Sequence, residues 1–268
     1  MLTEVKNLQR TEKSTVTLVI DPDTGTRYIR KELCGPHPIY AQLQALSHPY
    51  LPKIFHVEEA RAGVVLIEEF IDGANLAEIT LPEKQVMVLM EELCEVLVFL
   101  HQHGIIHRDI KPSNLLLAPD GHIRLIDFDA AREEKNTGGS DTRLLGTKGY
   151  APPEQYGFAQ TDARADIYAV GVTMKQLLGK RADRRPYRHI LRKCTEFAPK
   201  HRYATAKSLL FSLKTRTLQL CLPWIIPIVV LLSASILAWW YHSNQAEITE
   251  ARYRLFAGLV DRGRRFCG

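Results

Sequence analysis

An uncharged segment near the C-terminal end constrains this chain most. Residues 218–241 contain no charged side chain and end in Trp239, Trp240 and Tyr241. At about 1.5 Å per helical residue the segment can cross a hydrocarbon core about 30 Å thick, and terminal Trp and Tyr suit the headgroup region. The alternative is a buried helix of a soluble domain, but such helices seldom lack charge over this length. The sequence therefore predicts one transmembrane helix over residues 218–241.

Composition indicates a folded domain before this segment. The chain has 268 residues, 46% of them hydrophobic, which is enough to bury a core and excludes a disordered protein. The formal net charge of +5 is unevenly spread: basic residues concentrate in residues 180–202, which could face an anionic surface or be a solvated helix face. No nucleic-acid partner is expected. Five scattered cysteines without a paired C-x-x-C spacing indicate a reducing compartment and no structural zinc.

Alternating apolar residues and turn signals predict strands in the first part of the chain. Residues 15–20 and 28–33 form a predicted hairpin around the turn-rich residues 21–25, and residues 63–70 form another strand. Apolar residues then recur at helical spacing. The predicted helices are residues 80–103, which start at a Thr80 capping box and end at Gly104, and residues 166–178, 186–194 and 205–213. Few strands followed by helices indicate an α+β fold in two unequal lobes.

Two polar segments carry the clearest chemistry. Residues 107–114 read HRDIKPSN, and after a predicted strand, turn and strand, residues 127–129 read DFD. Phosphoryl transfer requires an aligned hydroxyl, metal ions that bridge the phosphates, and positive charge near the developing negative charge. The two segments contain carboxylates, a lysine and an amide that can serve these purposes. A chance loop of polar residues is the alternative, and the ordered occurrence of several motifs argues against it.

The two segments resemble the catalytic loop H-R-D-x-K-x-x-N and the metal-binding motif D-F-G of eukaryotic-type serine/threonine protein kinases. The resemblance covers about residues 8–213, and the chain looks like a compact, membrane-anchored bacterial member. It implies a small β-rich N-lobe, a helical C-lobe, ATP as phosphoryl donor, and Mg²⁺ or Mn²⁺. It also implies that Asp109 orients the substrate hydroxyl, Lys111 contacts the transferring phosphate, and Asn114 and Asp127 bind the metal. The lysine two residues after Asp109 is typical of kinases that modify serine or threonine.

A lysine on the predicted hairpin acquires a role from this resemblance. In the second strand Lys31 shares a face with Ile29 and Leu33, a costly position for an ammonium unless it meets an anion. An edge-strand lysine that extends to solvent is the alternative. The kinase resemblance implies that Lys31 contacts the α- and β-phosphates, and that Val16 and Glu69 also belong to the nucleotide site.

Further motifs resemble the end of a kinase activation segment and its supports. Residues 146–154 read GTKGYAPPE; Glu154 is expected to pair with Arg202, and Asp166 to support the backbone of the catalytic loop. A surface glutamate and a helix-capping aspartate are the ordinary alternatives. Arg108 is expected to pair with a phosphate added to the activation segment, while Thr147 is either modified or structural. The predicted phosphorylation sites are Thr137, Ser140, Thr142 and Thr147.

Three departures from the kinase pattern bear on activity. Gln9, Thr11 and Ser14 occupy the positions of three loop glycines, whose missing Cβ lets the backbone approach phosphate. Ile39 stands where the pattern has the helix glutamate that pairs with the strand lysine, and Asp129 replaces the last glycine of D-F-G. A membrane-anchored pseudokinase that binds nucleotide or acts as a scaffold is therefore the main alternative, followed by a small-molecule phosphotransferase. We favour an active kinase because the catalytic, phosphate-binding and metal-binding residues are present.

The expected organisation is a kinase domain on a single membrane anchor. ATP is cytoplasmic, so the kinase domain is expected on the cytoplasmic side of the cell membrane and the tail on the other side. Lys207, Lys214 and Arg216 agree with the positive-inside rule, whereas Arg252 and Arg254 after the span weaken it. The expected partners are protein substrates, the chain itself in autophosphorylation, and the lipid bilayer, while the oligomeric state stays open. The predicted boundaries are 1–214 for the kinase domain, with lobes 1–70 and 71–214, then 218–241 for the membrane helix and 242–268 for the tail.

Overall fold

The chain is organised in two compact units. The structure, a computed structural model, describes residues 2–60, 63–133, 147, 149–156 and 161–266. Contacts between residues define one unit as Met1–Arg216 and the other as Thr217–Gly268. The first unit combines a sheet with helices, as the α+β prediction requires, and the second is helical.

A five-stranded antiparallel sheet opens the first unit. Its elements are β1 (Thr3–Arg10), β2 (Ser14–Ile20), β3 (Arg27–Cys34), the short helix α1 (Ile39–Gln44), β4 (Ile54–Ala60) and β5 (Gly63–Glu69). The strand order is β1-β2-β3-β5-β4, and β2 and β3 form the predicted hairpin. Local sequence patterns did not predict β1, α1 or β4, although the kinase resemblance placed Ile39 on a helix. Every residue of β1 is exposed and mostly polar, so no alternating pattern marks that strand.

The longer α-helices of this unit follow the sheet. They are α2 (Glu83–Gln102), α3 (Arg164–Leu178), α4 (Tyr187–Cys194) and α5 (Ala206–Lys214). Helix α2 lies in the core, and its Leu93, Leu97 and Leu100 are fully buried. Each such leucine contributes about 1.5–3 kcal/mol of hydrophobic stabilisation. Helix α2 therefore provides the rigid base against which the polar segments are held.

The two ends of α2 test two sequence predictions. The prediction of a capping box at Thr80 is wrong, because the helix begins after Pro82 and has no side-chain cap. Glu83, the expected partner of Thr80, instead accepts a hydrogen bond of 2.6 Å from the Tyr187 hydroxyl. The prediction for Gly104 is confirmed: its φ of +70° is a left-handed conformation that glycine adopts without a Cβ clash.

Five short strands surround the polar segments. They are β6 (Ala74–Asn75), β7 (Ile105–Ile106), β8 (Leu115–Leu117), β9 (Ile123–Leu125) and β10 (Arg132–Glu133). Strands β6, β8 and β9 form one small sheet, and β7 pairs with β10. The antiparallel register pairs Leu115 with Leu125, so the beginning of β8 lies beside the end of β9. Residues 107–114, before β8, and residues 127–129, after β9, are therefore brought together.

The second unit is one long helix, α6 (Arg216–Phe266), whose first residue belongs to the first unit. Within it, Ile225–Gly258 is long and apolar enough to cross a membrane, judged by length and composition alone. Its described apolar side chains, including Trp239 and Trp240, are exposed. The helix extends past residue 241, so most of the predicted tail, through Phe266, is also helical.

Candidate active site

Asp109, Lys111 and Asn114 form one connected network. The Lys111 ammonium lies 2.7 Å from the Asp109 carboxylate. The Asn114 amide donates to the Asp109 carbonyl at 2.9 Å and to its carboxylate at 3.1 Å. The carbonyl of Asn114 accepts the Ile126 N–H at 3.0 Å, which connects this loop to the residue before Asp127. The structure thus brings together four residues that the sequence assigned to catalysis and metal binding.

Thr147 closes this network from the activation segment. Its hydroxyl donates to the Asp109 carboxylate at 2.8 Å and accepts from the Lys111 ammonium at 2.8 Å, while its N–H lies 3.2 Å from the same carboxylate. Burial alone would raise the pKa of Asp109, but the hydrogen bonds from Lys111 and Thr147 bring it below its ordinary value. Asp109 is therefore a carboxylate at neutral pH, the state that can accept a proton.

Asp166 holds the backbone of the catalytic loop. Its carboxylate accepts the N–H groups of His107 at 2.9 Å and Arg108 at 2.7 Å, and it also contacts the His101 ring at 2.9 Å. Burial alone would raise the pKa of Asp166, but the hydrogen bond and charge of His101 outweigh it, so the pKa is lowered. The buried carboxylate is charged and fixes the backbone immediately before Asp109.

Arg108 is buried and has a positive φ of 69°. Its carbonyl accepts a hydrogen bond of 3.0 Å from the Gln155 amide, which follows the activation segment. The predicted phosphorylation sites Thr137, Ser140 and Thr142 lie outside the described residues. The pairing of Arg108 with an added phosphate therefore stays a prediction.

Glu154 and Arg202 form a buried ion pair. The guanidinium donates to both carboxylate oxygens, one of them at 2.9 Å, and the two side chains are 4% and 0% exposed. Arg202 also donates to the carbonyls of Arg164, Glu196 and Phe197. A buried bidentate pair with these additional bonds connects the end of the activation segment to the helical part of the domain.

Lys31 lies on the buried face of the sheet. Strand β2 places Val16 directly opposite it, and β5 places Leu66 opposite on its other side. The ammonium lies 2.8 Å from the Glu68 carboxylate, and both side chains are less than a tenth exposed. Burial alone would lower the pKa of Lys31, but the charges of Glu68, Asp127 and Asp129 and the hydrogen bond to Glu68 together outweigh that effect and raise it. Lys31 is therefore protonated and available to an anion.

Contacts of Phe128 and Asp129 fix the DFD segment. Asp127 has a φ of +67°, and the buried ring of Phe128 packs edge-on against the His107 ring with 4.7 Å between centroids. Asp129 accepts a hydrogen bond of 2.6 Å from the hydroxyl of Tyr40 on α1. Burial, together with the nearby charge of Asp127, raises the pKa of Asp129. Two aspartates thus lie close enough to repel each other.

This donor set fits a magnesium ion that is shared with a nucleotide. The described residues contain no group of three or more His, Cys, Asp or Glu side chains placed to hold a metal by themselves. Mg²⁺ is, however, usually bound by one or two carboxylates together with substrate phosphates and waters. Asn114 and Asp127 would supply oxygen ligands, and a bound cation would relieve the repulsion between Asp127 and Asp129.

Glu69 and the turn between β1 and β2 were also predicted to belong to the nucleotide site. Glu69 lies on the sheet face opposite Lys31, and its carboxylate accepts the Lys53 N–H at 3.1 Å, so its side chain is not part of the network above. In the turn between β1 and β2, the Thr11 hydroxyl accepts the N–H groups of Lys13 at 3.2 Å and Ser14 at 3.0 Å. The Thr11 side chain thus stabilises this turn at a position where the kinase pattern has a glycine.

Sequence reasoning missed four residues that contact the site: His101, Gln155, Glu68 and Tyr40. Only Glu68 left a signal. Val64, Leu66 and Glu68 alternate on β5 and are buried, so a charged residue on the apolar face of a strand could have been noticed. The others contact the site through tertiary packing that no local pattern reveals.

Comparisons with known proteins agree with this geometry. A family model described as Protein kinase domain matches residues 39–211, more than half of the chain. Serine/threonine-protein kinase PknB of Mycolicibacterium smegmatis is 29% identical over 175 residues, which cover 58% of this chain and 28% of that protein. PknB of Mycobacterium tuberculosis is 30% identical over 175 residues, with the same coverage. Protein kinase C zeta type of Oryctolagus cuniculus is 32% identical over 149 residues, 52% of this chain and 24% of that protein.

The chain belongs to the protein kinase family. The family match starts at the beginning of α1, so the first three strands and Lys31 precede it. The match includes the catalytic loop, the DFD segment, Asp166 and Arg202. The alignments span less than a third of each relative named above, so the likeness concerns the kinase domain alone.

Proposed function

We propose that this chain is a serine/threonine protein kinase that transfers the γ-phosphoryl group of ATP to protein hydroxyls at the cytoplasmic face of a membrane. The observation that carries the proposal is the network of Asp109, Lys111, Asn114 and Thr147. In it the ionised Asp109 carboxylate is hydrogen-bonded to the Lys111 ammonium, to the Thr147 hydroxyl and to the Asn114 amide, which we assign to metal binding. Phosphoryl transfer depends chiefly on such positioning and on charge stabilisation.

Each residue has a separate task in this proposal. Asp109 orients the incoming hydroxyl and accepts its proton, because its lowered pKa keeps it ionised. The Lys111 ammonium stabilises negative charge on the transferring group, and Lys31 binds phosphate oxygens from the sheet. Mg²⁺, held by Asn114 and Asp127, would neutralise the charge of the nucleotide phosphates. Asp166 keeps the backbone before Asp109 in place.

Two observations support serine and threonine as acceptors. Lys111 lies between Asp109 and Thr147, where it contacts both and can meet the transferring phosphate. The bacterial relatives are named serine/threonine-protein kinases. The same chemistry makes the chain's own activation segment a substrate, which is why we include autophosphorylation in the proposal.

The membrane location rests on the candidate span in α6. ATP is cytoplasmic, so the kinase domain is assigned to the cytoplasm and the residues after the span to the opposite side. Protease treatment of sealed inside-out vesicles should digest the kinase domain and leave a protected C-terminal fragment. Complete digestion would contradict this orientation.

A phosphate-transfer assay tests the catalytic proposal directly. The full-length protein, in detergent micelles, is incubated with radiolabelled ATP, Mg²⁺ and a mixture of general protein acceptors. Asp109→Asn should reduce incorporation about 1,000-fold or more, because it removes the proton acceptor and one charge of the network. The matched control is Asp183→Asn, which removes an exposed carboxylate at the end of a short helix.

The result for Asp109→Asn separates the active enzyme from the alternative. Equal incorporation by Asp109→Asn and wild type would contradict the assignment of Asp109. Nucleotide binding by a wild-type protein that transfers no phosphate, to itself or to any acceptor, would favour the pseudokinase.

A further inference from the structure

The carboxylate that pairs with Lys31 lies on a neighbouring strand of the same sheet. Strand β3 pairs with β5 so that Lys31 faces Leu66, and Glu68 is the next residue along on the same buried face. The ammonium and the Glu68 carboxylate are 2.8 Å apart, with side chains 8% and 7% exposed. The contact is therefore a buried ion pair between neighbouring strands of one sheet.

Helix α1 cannot supply this charge. Its sequence is IYAQLQ, which contains no acidic residue. Ile39 is buried, and the hydroxyl of Tyr40 is hydrogen-bonded to Asp129. Glu32, the acidic neighbour of Lys31 in sequence, is exposed on the other face of β3, where it pairs with Arg30 at 2.8 Å. Among these nearby residues, only Glu68 reaches the ammonium.

Charge explains why the pair matters for phosphate binding. Lys31 also lies in the field of Asp127, a candidate metal ligand, and of the neighbouring Asp129. Without Glu68, a buried ammonium would be drawn toward these two carboxylates and would compete with the cation there. Glu68 uses one of the three N–H donors of Lys31, which leaves two donors for phosphate oxygens.

We propose that Glu68 is the positioning residue for Lys31: a sheet-borne carboxylate that holds the ammonium for nucleotide phosphates in place of a carboxylate from α1. This inference rests on the proposed kinase function. It assigns Glu68 no contact with the reacting atoms. Its effect on catalysis passes through Lys31, and this dependence is what the experiment measures.

The test is a double-mutant cycle in the full-length protein. The variants are Glu68→Gln, Lys31→Met and the combination of both, with Glu32→Gln as the matched control. Three quantities are measured for each: kcat/KM for phosphate transfer, the affinity for ADP with Mg²⁺, and the melting temperature. Nucleotide affinity is included because it can be determined even where transfer is too slow to measure.

We expect the effect of Glu68→Gln on activity to depend on the presence of Lys31. Glu68→Gln should lower kcat/KM about 100-fold, the usual effect of misplacing a catalytic group by about 1 Å. Glu32→Gln should stay within about twofold of wild type, as expected for an exposed substitution. In the Lys31→Met background, Glu68→Gln should change neither nucleotide affinity nor kcat/KM further, because the group it positions is gone.

Three outcomes would overturn the inference: unchanged activity in Glu68→Gln, increased activity, or a full additional loss in the combined variant. Increased activity would mean that Glu68 withholds Lys31 from the nucleotide. If Glu68→Gln shows no melting transition, Lys31→Met is compared with Lys31→Met/Glu68→Met, in which apolar groups replace the buried pair. Equal nucleotide affinity supports the inference, and weaker affinity of the double variant overturns it.

Failure of the proposed function gives a different result. If wild type binds nucleotide but transfers no phosphate, the proposal of kinase activity is wrong. The affinity cycle still tests Glu68 in that case. If wild type transfers phosphate and Glu68→Gln does so equally well, the role proposed for Glu68 is wrong and the proposal of kinase activity is supported.

Discussion

Arg108 and Asp127 are the two non-glycine residues with positive φ in the described part of the chain, and both belong to the catalytic segments. Such conformations cost about 1–3 kcal/mol each and persist only where surrounding contacts enforce them. For Arg108 those contacts are the bond from its N–H to Asp166 and the bond from Gln155 to its carbonyl. The strain is thus concentrated where the side chains must be aimed accurately.

Asp166→Asn tests this support and its dependence on pH. The substitution should lower the free energy of unfolding by about 2 kcal/mol, because a charged hydrogen-bond acceptor is lost from a buried site. The pKa of Asp166 is below its ordinary value of 3.8 in the folded protein. Its contribution is therefore fully present above that value and is lost as the pH falls further, through the folded-state pKa.

Urea unfolding of wild type and Asp166→Asn measures this difference. It should be constant from about pH 7 to about pH 5 and should shrink below about pH 4. Asp183→Asn, at an exposed site, serves as the control. A difference that stays the same at all these pH values would show that the charge of Asp166 is not the source of its stabilisation.

Sequence reasoning succeeded for residues that are close together in the chain and failed for partners brought together by the fold. Asp109, Lys111 and Asn114 lie within six positions, so one segment indicated all three. The partner of Lys31 depends on the register between β3 and β5, which no local pattern specifies. Glu69 stays a predicted nucleotide contact, and its neighbour Glu68, which the sequence did not single out, is the residue whose side chain pairs with Lys31.

At the level of elements, α1 is connected to the catalytic segments through Tyr40. Its hydroxyl donates to Asp129, and the tyrosine side chain is fully buried. Asp129, which stands where the kinase pattern has glycine, therefore has its hydrogen-bond partner on a helix that local sequence patterns did not mark. With six residues and no side-chain cap, α1 lacks the signals by which helices are recognised.

Tyr40→Phe should separate this contact from the packing of the ring. The variant loses one hydrogen bond to a charged acceptor, so we expect about 1.5–3 kcal/mol less stability. Because Asp129 becomes freer to move beside Asp127, kcat should fall about tenfold. Tyr28→Phe, in which the ring packs on Phe55, is the control. Unchanged kcat in Tyr40→Phe would show that α1 does not help to place the DFD segment.

On the scale of the whole molecule, the resemblance of motifs implied a kinase domain and the uncharged segment indicated an apolar helix, and both are found. The boundaries between them could not be predicted as well. Helix α6 starts at Arg216 and continues to Phe266, although Pro223 and Pro227 each lack the N–H that a helical hydrogen bond needs. The absence of charge marked only its most apolar part.

Leu231→Arg tests whether this helix is a membrane span. Leu231 is exposed and lies within the candidate span Ile225–Gly258. An arginine deep in the bilayer costs about 2.5–3.5 kcal/mol on insertion scales, so the share of protein that resists extraction from membranes should fall. Leu231→Ala should remain in the membrane fraction. Equal extraction of the arginine and alanine variants would contradict a spanning role.

The strand-to-strand pair of Lys31 and Glu68 limits how this kinase can be regulated. In such an arrangement the ammonium and its counter-ion travel as one body with the sheet. Rotation of α1 would not remove the counter-ion of Lys31, since that helix carries no acidic residue. A ligand that displaces α1 should therefore act on catalysis through the hydrogen bond between Tyr40 and Asp129, while Lys31 keeps its partner on the sheet.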